Sequence, residues 1–261
     1  MTPSGTGHDR SGETDRPFRI VNPEGAAAIV ICCDHASNAM PQEFENLGLT
    51  AGDLARHIAW DIGAADVAIH LSYRFGAPAV LCGTSRLVID CNRHPEDPAA
   101  VPEVSDGTPI PGNRNLSAAD RAERTARFFA PYQAAVAAAV EAKLAAGLAP
   151  ILLSVHSMTP EMGGKLRPWQ IALSSHEDRR LTDPVLAKLK ARGDIVVGDN
   201  EPYGLDPAED YTTPVHAFRH RLPHLQVEFR QDEVATGPGA ARWAGIFGEA
   251  VAAALKEIGP P

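Results

Sequence analysis

Residues 26–38 read AAAIVICCDHASN: eight consecutive apolar residues run straight into Asp34, His35, Ser37 and Asn38. An apolar run of this length, stopped by a polar cluster, marks a strand covered on both faces. Side chains alternate along a strand, so the adjacent Cys32 and Cys33 are expected on opposite faces. Outward from this stretch, short apolar runs alternate with longer helical ones. Strands are expected at 78–81, 86–91, 151–155, 169–173, 194–197 and 225–229. Helices are expected over 52–73, 118–146 (capped by Ser117, closed by Gly147), 181–192 and 239–258. Strands interleaved with helices predict an α/β sheet covered by helices on both faces.

The composition narrows the function. The 261 residues carry 24 Lys and Arg against 33 Asp and Glu, a formal net charge of −9. That balance argues against nucleic acid, which needs a basic face. An apolar fraction of 44% with 22% charged residues suits a globular protein. The longest apolar run is far shorter than the roughly 20 residues of a membrane span, so no membrane association and a cytoplasmic location are expected. Residues 1–16 are polar and read as a disordered leader to one domain over 17–261. The four cysteines, Cys32, Cys33, Cys82 and Cys91, fit neither a zinc pattern nor a disulfide framework and are expected as buried thiols. Residues 94–116 hold five prolines; so long a loop in a compact domain is usually functional or mobile.

Open α/β sheets bind ligands beyond the carboxyl ends of their strands. Four expected strands end in reactive groups: Asp34 and His35; Asp90, Asn92 and Arg93; His156 and Ser157; Glu228 and Arg230. Two histidines at strand ends suit zinc, whose catalytic sites keep three protein ligands and an open position. The third ligand is open among Asp34, Asp61 and Asp66, and there is no HExxH helix. Glu228, between apolar neighbours, is costly unless paired. It reads either as the partner of an arginine such as Arg230 or as a general base. An asparagine beside an arginine suits capture of a substrate carboxylate, which makes Asn92 and Arg93 candidates. Arg86 can polarise a carbonyl or pair with Asp61, Ser37 is a weakly signalled nucleophile, and His216 can orient a carbonyl. Gly163-Gly164-Lys165 lacks the spacing of a phosphate loop, and no GxSxG elbow appears.

The segments CDHASNAMP, AWDIGA, SRLVIDCNR, LSVHSMTP and QVEFRQD, in this order, resemble the N-formylglutamate amidohydrolase family over about residues 27–255. That family lies in the wider group of zinc-carboxypeptidase-like and aspartoacylase-like hydrolases. The resemblance implies a three-layer α/β/α fold, phosphorylase/hydrolase-like, with a mixed central sheet of about eight strands. It implies one Zn2+ per chain, or another divalent metal, on His35 and His156. Asn38 stands where the wider group has a glutamate ligand, and Asp61 is its implied replacement. Glu228 matches the general base and later proton donor, Asn92 and Arg93 the pair that grips the substrate carboxylate, and Arg86 the arginine that steadies the oxyanion. Ser37, His216 and Arg230 complete the expected substrate-binding set. The implied reaction is hydrolysis of a small anionic N-acyl amino acid such as N-formyl-L-glutamate, by a monomer or small homo-oligomer. The rival readings are a zinc-dependent peptide or cell-wall amidase and a metal-free binding relative.

Overall fold

The computed structural model describes residues 16–258. The expected leader therefore lies outside the described residues, apart from Arg16. Seven strands form one sheet: β1 (Phe18–Val21), β2 (Ile29–Cys33), β3 (Ala79–Cys82), β4 (Ile151–Met158), β5 (Ile171–Ser174), β6 (Val197–Asp199) and β7 (His224–Arg230). Their spatial order is β1-β3-β2-β4-β7-β5-β6. The central strands β3, β2, β4 and β7 run parallel, as do β5 and β6, while β1 is antiparallel to β3 and β5 to β7. The longer helices are α1 (Ala64–Phe75), α2 (Ala118–Arg124), α3 (Ala130–Ala145), α4 (Thr182–Lys190) and α5 (Gly237–Ile258), with a π-helical turn at Thr125–Phe129 joining α2 to α3.

The alternation expected of β2 divides the core. Ile29, Ile31 and Cys33 pack with α1, α4 and α5 on one face of the sheet. Val30 and Cys32 pack with Phe128, Tyr132 and Val136 on the other. Cys32 and Cys33 thus face opposite ways, and all four cysteines are buried free thiols. Ser117 caps α2 through a reciprocal pair: its Oγ accepts from the Asp120 amide at 3.1 Å, and the Asp120 carboxylate accepts from the Ser117 amide at 2.8 Å. No helix among the described residues is long and apolar enough to cross a membrane.

Three expectations change. Residues 86–91 form turns, not a strand. The amides of Arg86, Val88 and Asp90 bond to Ala59, Ser85 and Ala100 carbonyls. β3 already has β1 and β2 as neighbours, so no edge is open to this segment. Its apolar residues Leu87, Val88 and Ile89 are buried under loops instead, and a short apolar run cannot tell these outcomes apart. The helix expected over 52–73 is broken into a short turn at Ala51–Leu54 and α1. The break ends at Gly63, with φ 81°, where an added Cβ would lie 2.3 Å from the Val234 carbonyl oxygen. Finally, β4 continues past residue 155, so His156 sits within the strand. The proline-rich segment 94–116 is ordered, with short strands at Val104–Ser105 and Thr108–Pro109.

Candidate functional site

Beyond the carboxyl ends of β2 and β4 lies a cavity of about 400 Å³. His35 follows β2 directly. Asp61 is brought beneath it because its amide donates to the His35 carbonyl at 2.9 Å, in the break that precedes α1. His156 projects from β4. One carboxylate oxygen, Oδ2 of Asp61, lies 3.3 Å from His35 Nδ1 and 3.0 Å from His156 Nδ1. The imidazole rings stand edge to face with centroids 5.1 Å apart. The donor atoms of His35, Asp61 and His156 all lie within 4.8 Å of one another, and all three residues are buried.

The far ring nitrogens are held by carboxylates. His35 Nε2 lies 2.7 Å from Asp90 Oδ1, and His156 Nε2 lies 3.2 Å from Asp34 Oδ2. With an ion bound, Nε2 of each imidazole would donate to its acid and leave Nδ1 for the metal, the tautomer that carboxylate–histidine–metal arrangements require. A donor set of two imidazole nitrogens and one carboxylate oxygen is what a catalytic zinc site offers. The residues present therefore fit such an ion. Of the three candidate carboxylates, Asp61 faces both Nδ1 atoms, Asp34 stands behind His156, and Asp66 is exposed on α1.

Electrostatics follow from the packing. Burial and Arg86 oppose the charging of His35, but Asp90 and Asp61 outweigh them and raise its pKa to about 9. Burial likewise opposes ionisation of Asp61 and Asp90, yet His35 with His156, and Arg86 with His35, hold them below the usual carboxylate range. Glu228 differs: burial, reinforced by the negative charge of Asp61, pushes it up to about 7 against the pull of His156, His35 and Arg86.

Glu228 and Arg86 both line the cavity. Glu228 is level with His156 in the parallel β4–β7 register. Arg86 donates to Asp90 at 2.5 Å and lies 3.5 Å from Asp61 Oδ1. Arg93 lines the cavity while paired with Glu209 at 2.9 Å. Asn92 also reaches the wall, but its side-chain oxygen accepts from the amides of Tyr211 and Thr212, and its nitrogen donates to Asp210. It braces two loops with most of its capacity.

Ser37, His216 and Arg230, expected at the substrate, are not on the cavity wall. Ser37 Oγ accepts from the Ala39 amide in its own loop. His216 Nε2 lies 2.7 Å from Gln133 Oε1; Gln133 donates to Thr212 Oγ1, which donates to Asp34 Oδ1. His216 thus supports the site from behind through a buried chain. Arg230 pairs with Asp232 rather than Glu228, and holds the carbonyls of Arg167 and Pro168.

Sequence reasoning passed over Arg167, Tyr203, Gln226 and Gln231, all on the wall. Gln226 is two residues before Glu228 on β7, a spacing that puts both on one face of the strand. Arg167 follows the hairpin Glu161–Met162/Lys165–Leu166. Its available signal was the Gly163-Gly164 pair, a turn marker for a hairpin rather than a phosphate loop.

A mixed sheet that collects histidines, carboxylates and arginines beyond its parallel strand ends defines an α/β protein of the hydrolase kind. Residues 27–235 match the N-formylglutamate amidohydrolase family. A gene product of Agrobacterium tumefaciens, known from its crystal structure, is 35% identical, with 94% of this chain and 97% of that chain covered and a TM-score of 0.91. An N-formylglutamate amidohydrolase from Ralstonia eutropha JMP134 shares the fold at 22% identity, covering 93% and 98% of the two chains with a TM-score of 0.66. Comparison with curated proteins found no match. The chain belongs to the N-formylglutamate amidohydrolase family and is a hydrolase acting on an amide bond.

Proposed function

We propose that this protein is a zinc-dependent amidohydrolase that cleaves a small N-acyl amino acid, with N-formyl-L-glutamate the leading substrate, to the free amino acid and a carboxylic acid. The observation that carries the reading is the convergence of His35, Asp61 and His156 within 4.8 Å, beside Glu228 in register with His156. His35, Asp61 and His156 would hold the metal, with Asp90 and Asp34 orienting the imidazoles. A divalent zinc held there supplies Lewis-acid polarisation and acidifies a water toward a pKa of about 7.

The remaining steps belong to the chain. Glu228, with its pKa raised to about 7, takes a proton from the attacking water and returns it to the leaving nitrogen. Arg86, beside the donor cluster, stabilises the negative charge that develops on the acyl oxygen. Arg93, on the cavity wall, holds the substrate's α-carboxylate and so positions the amide. A cavity of about 400 Å³ favours a small acid over an extended peptide or cell-wall strand, and the complete donor set favours an enzyme over a metal-free relative. The test is a hydrolysis screen of formyl-, acetyl- and succinyl-amino acids with zinc added, alongside metal analysis. Turnover of a formyl-amino acid with about one zinc per chain is the expected result; no hydrolysis of any N-acyl amino acid rejects the proposal.

A further inference from the structure

Three arginines line the cavity, and two of them already face carboxylates: Arg86 meets Asp61 and Asp90, and Arg93 meets Glu209. Arg167 makes no ion pair with any described residue, although it is only 9% exposed. An arginine cannot shed its charge on burial, so an unpaired buried guanidinium is costly. Its Nη2 donates to Tyr203 Oη and to Met162 Sδ, and its plane lies over the Tyr203 ring, 5.0 Å from the centroid. Its Nε and Nη1 find no acceptor among the described residues. Both two-pronged edges of a guanidinium share Nη2, so what remains on this cavity-lining side chain is two separate donors, Nε–H and Nη1–H, each able to donate to a carboxylate oxygen.

The backbone beneath it is pinned. The Arg167 amide donates to the Pro160 carbonyl at 2.8 Å, closing the hairpin. Arg230 donates to the Arg167 carbonyl at 3.3 Å and the Pro168 carbonyl at 3.2 Å. Arg230 stands two residues beyond Glu228 on β7, or about 7 Å at the usual strand rise. The Arg167 backbone is thus pinned to a residue beyond the level of Glu228 and His156 along β7.

Resting on the hydrolase reading, we propose that Arg167 is the specificity-determining residue for a second carboxylate, the side-chain acid of an N-acyl dicarboxylic amino acid. Arg93 then serves the α-carboxylate, and the neutral amide counterpart of the substrate is discriminated against at Arg167.

The test compares kcat/KM for N-formyl-L-glutamate with that for N-formyl-L-glutamine, in the zinc-supplemented wild type and in Arg167→Met. The glutamate-to-glutamine ratio is expected to fall about 10- to 100-fold, the loss of a charge-assisted hydrogen bond, through KM rather than kcat. A purely structural role for Arg167 would lower both substrates alike, and an unchanged ratio overturns the assignment while leaving the hydrolase reading intact. Should Arg167→Met fail to fold, Arg167→Gln, which keeps a polar planar end over Tyr203, is judged by the same ratio. If the wild type hydrolyses neither compound, the wider screen of N-acyl amino acids judges the hydrolase reading, and calorimetric binding of glutarate decides the role of Arg167 separately. Weaker binding to the variant supports Arg167 as a carboxylate receptor; equal or absent binding to the wild type overturns it.

Discussion

Glu228 and His156 are direct register partners across the parallel β4–β7 pair. Both side chains reach the same cavity, so two residues far apart in the chain are set side by side by strand pairing alone. His156 belongs to the donor cluster, whereas Glu228 has no hydrogen-bond partner among the described residues and keeps a raised pKa. The pairing gives each a separate role.

Replacing Glu228 by Gln should keep zinc content near wild type and reduce kcat by about 10²-fold or more, the usual worth of a positioned base. Metal analysis beside steady-state kinetics reads both quantities. Near-normal turnover removes Glu228 from the chemistry.

A base works only when ionised, which sets the pH dependence. Glu228 titrates at about 7, so kcat/KM should climb with rising pH through about 7 and fall about tenfold per unit below it. A profile that stays flat across this region contradicts the assignment.

His156→Ala should lose metal and activity together. Asp90→Asn keeps the three donors but weakens the hold on His35 Nε2, so zinc affinity should drop about 10- to 100-fold, as for other partners of ligating histidines. Competition with a chelator measures this; wild-type affinity in both variants would place the metal elsewhere.

Arg93→Ala should raise KM for N-formyl-L-glutamate about tenfold or more, since a carboxylate–guanidinium contact is lost. N-formylated amines that lack an α-carboxylate should be affected far less. Equal losses for the two compounds reject the clamp.

His216 carries an acid-stability signature. Burial depresses its pKa to about 4 from 6.5. Its neutral form is the folded one, so its stabilising contribution is present above about 6.5 and is lost as pH falls through about 4. The difference corresponds to roughly 3 kcal/mol at most. Over this window His216→Asn should lose less stability than wild type in denaturant titrations; parallel losses would show that His216 is not the sensor.

The sequence by itself determined the layers, the apolar strand that leads into His156 and the reactive ends of β2 and β7, because alternation and apolar run length are local properties of the chain. It also marked His35, His156 and Glu228, since a polar group beside an apolar run is visible without any contact map. It misread residues 86–91, whose apolar side chains are buried by loops rather than by a sheet. Tertiary structure alone decided that Asp61, not Asp34 or Asp66, faces both imidazoles, that Asp90 and Asp34 stand behind them, and that Arg167 is left without an acid while Arg230 is not. His35 and Asp61 are separated by 26 positions, and Asp61 and His156 by 95. Which carboxylate meets which nitrogen across such separations depends on strand order, register and the break before α1, and none of these is written in the pattern of neighbouring residues.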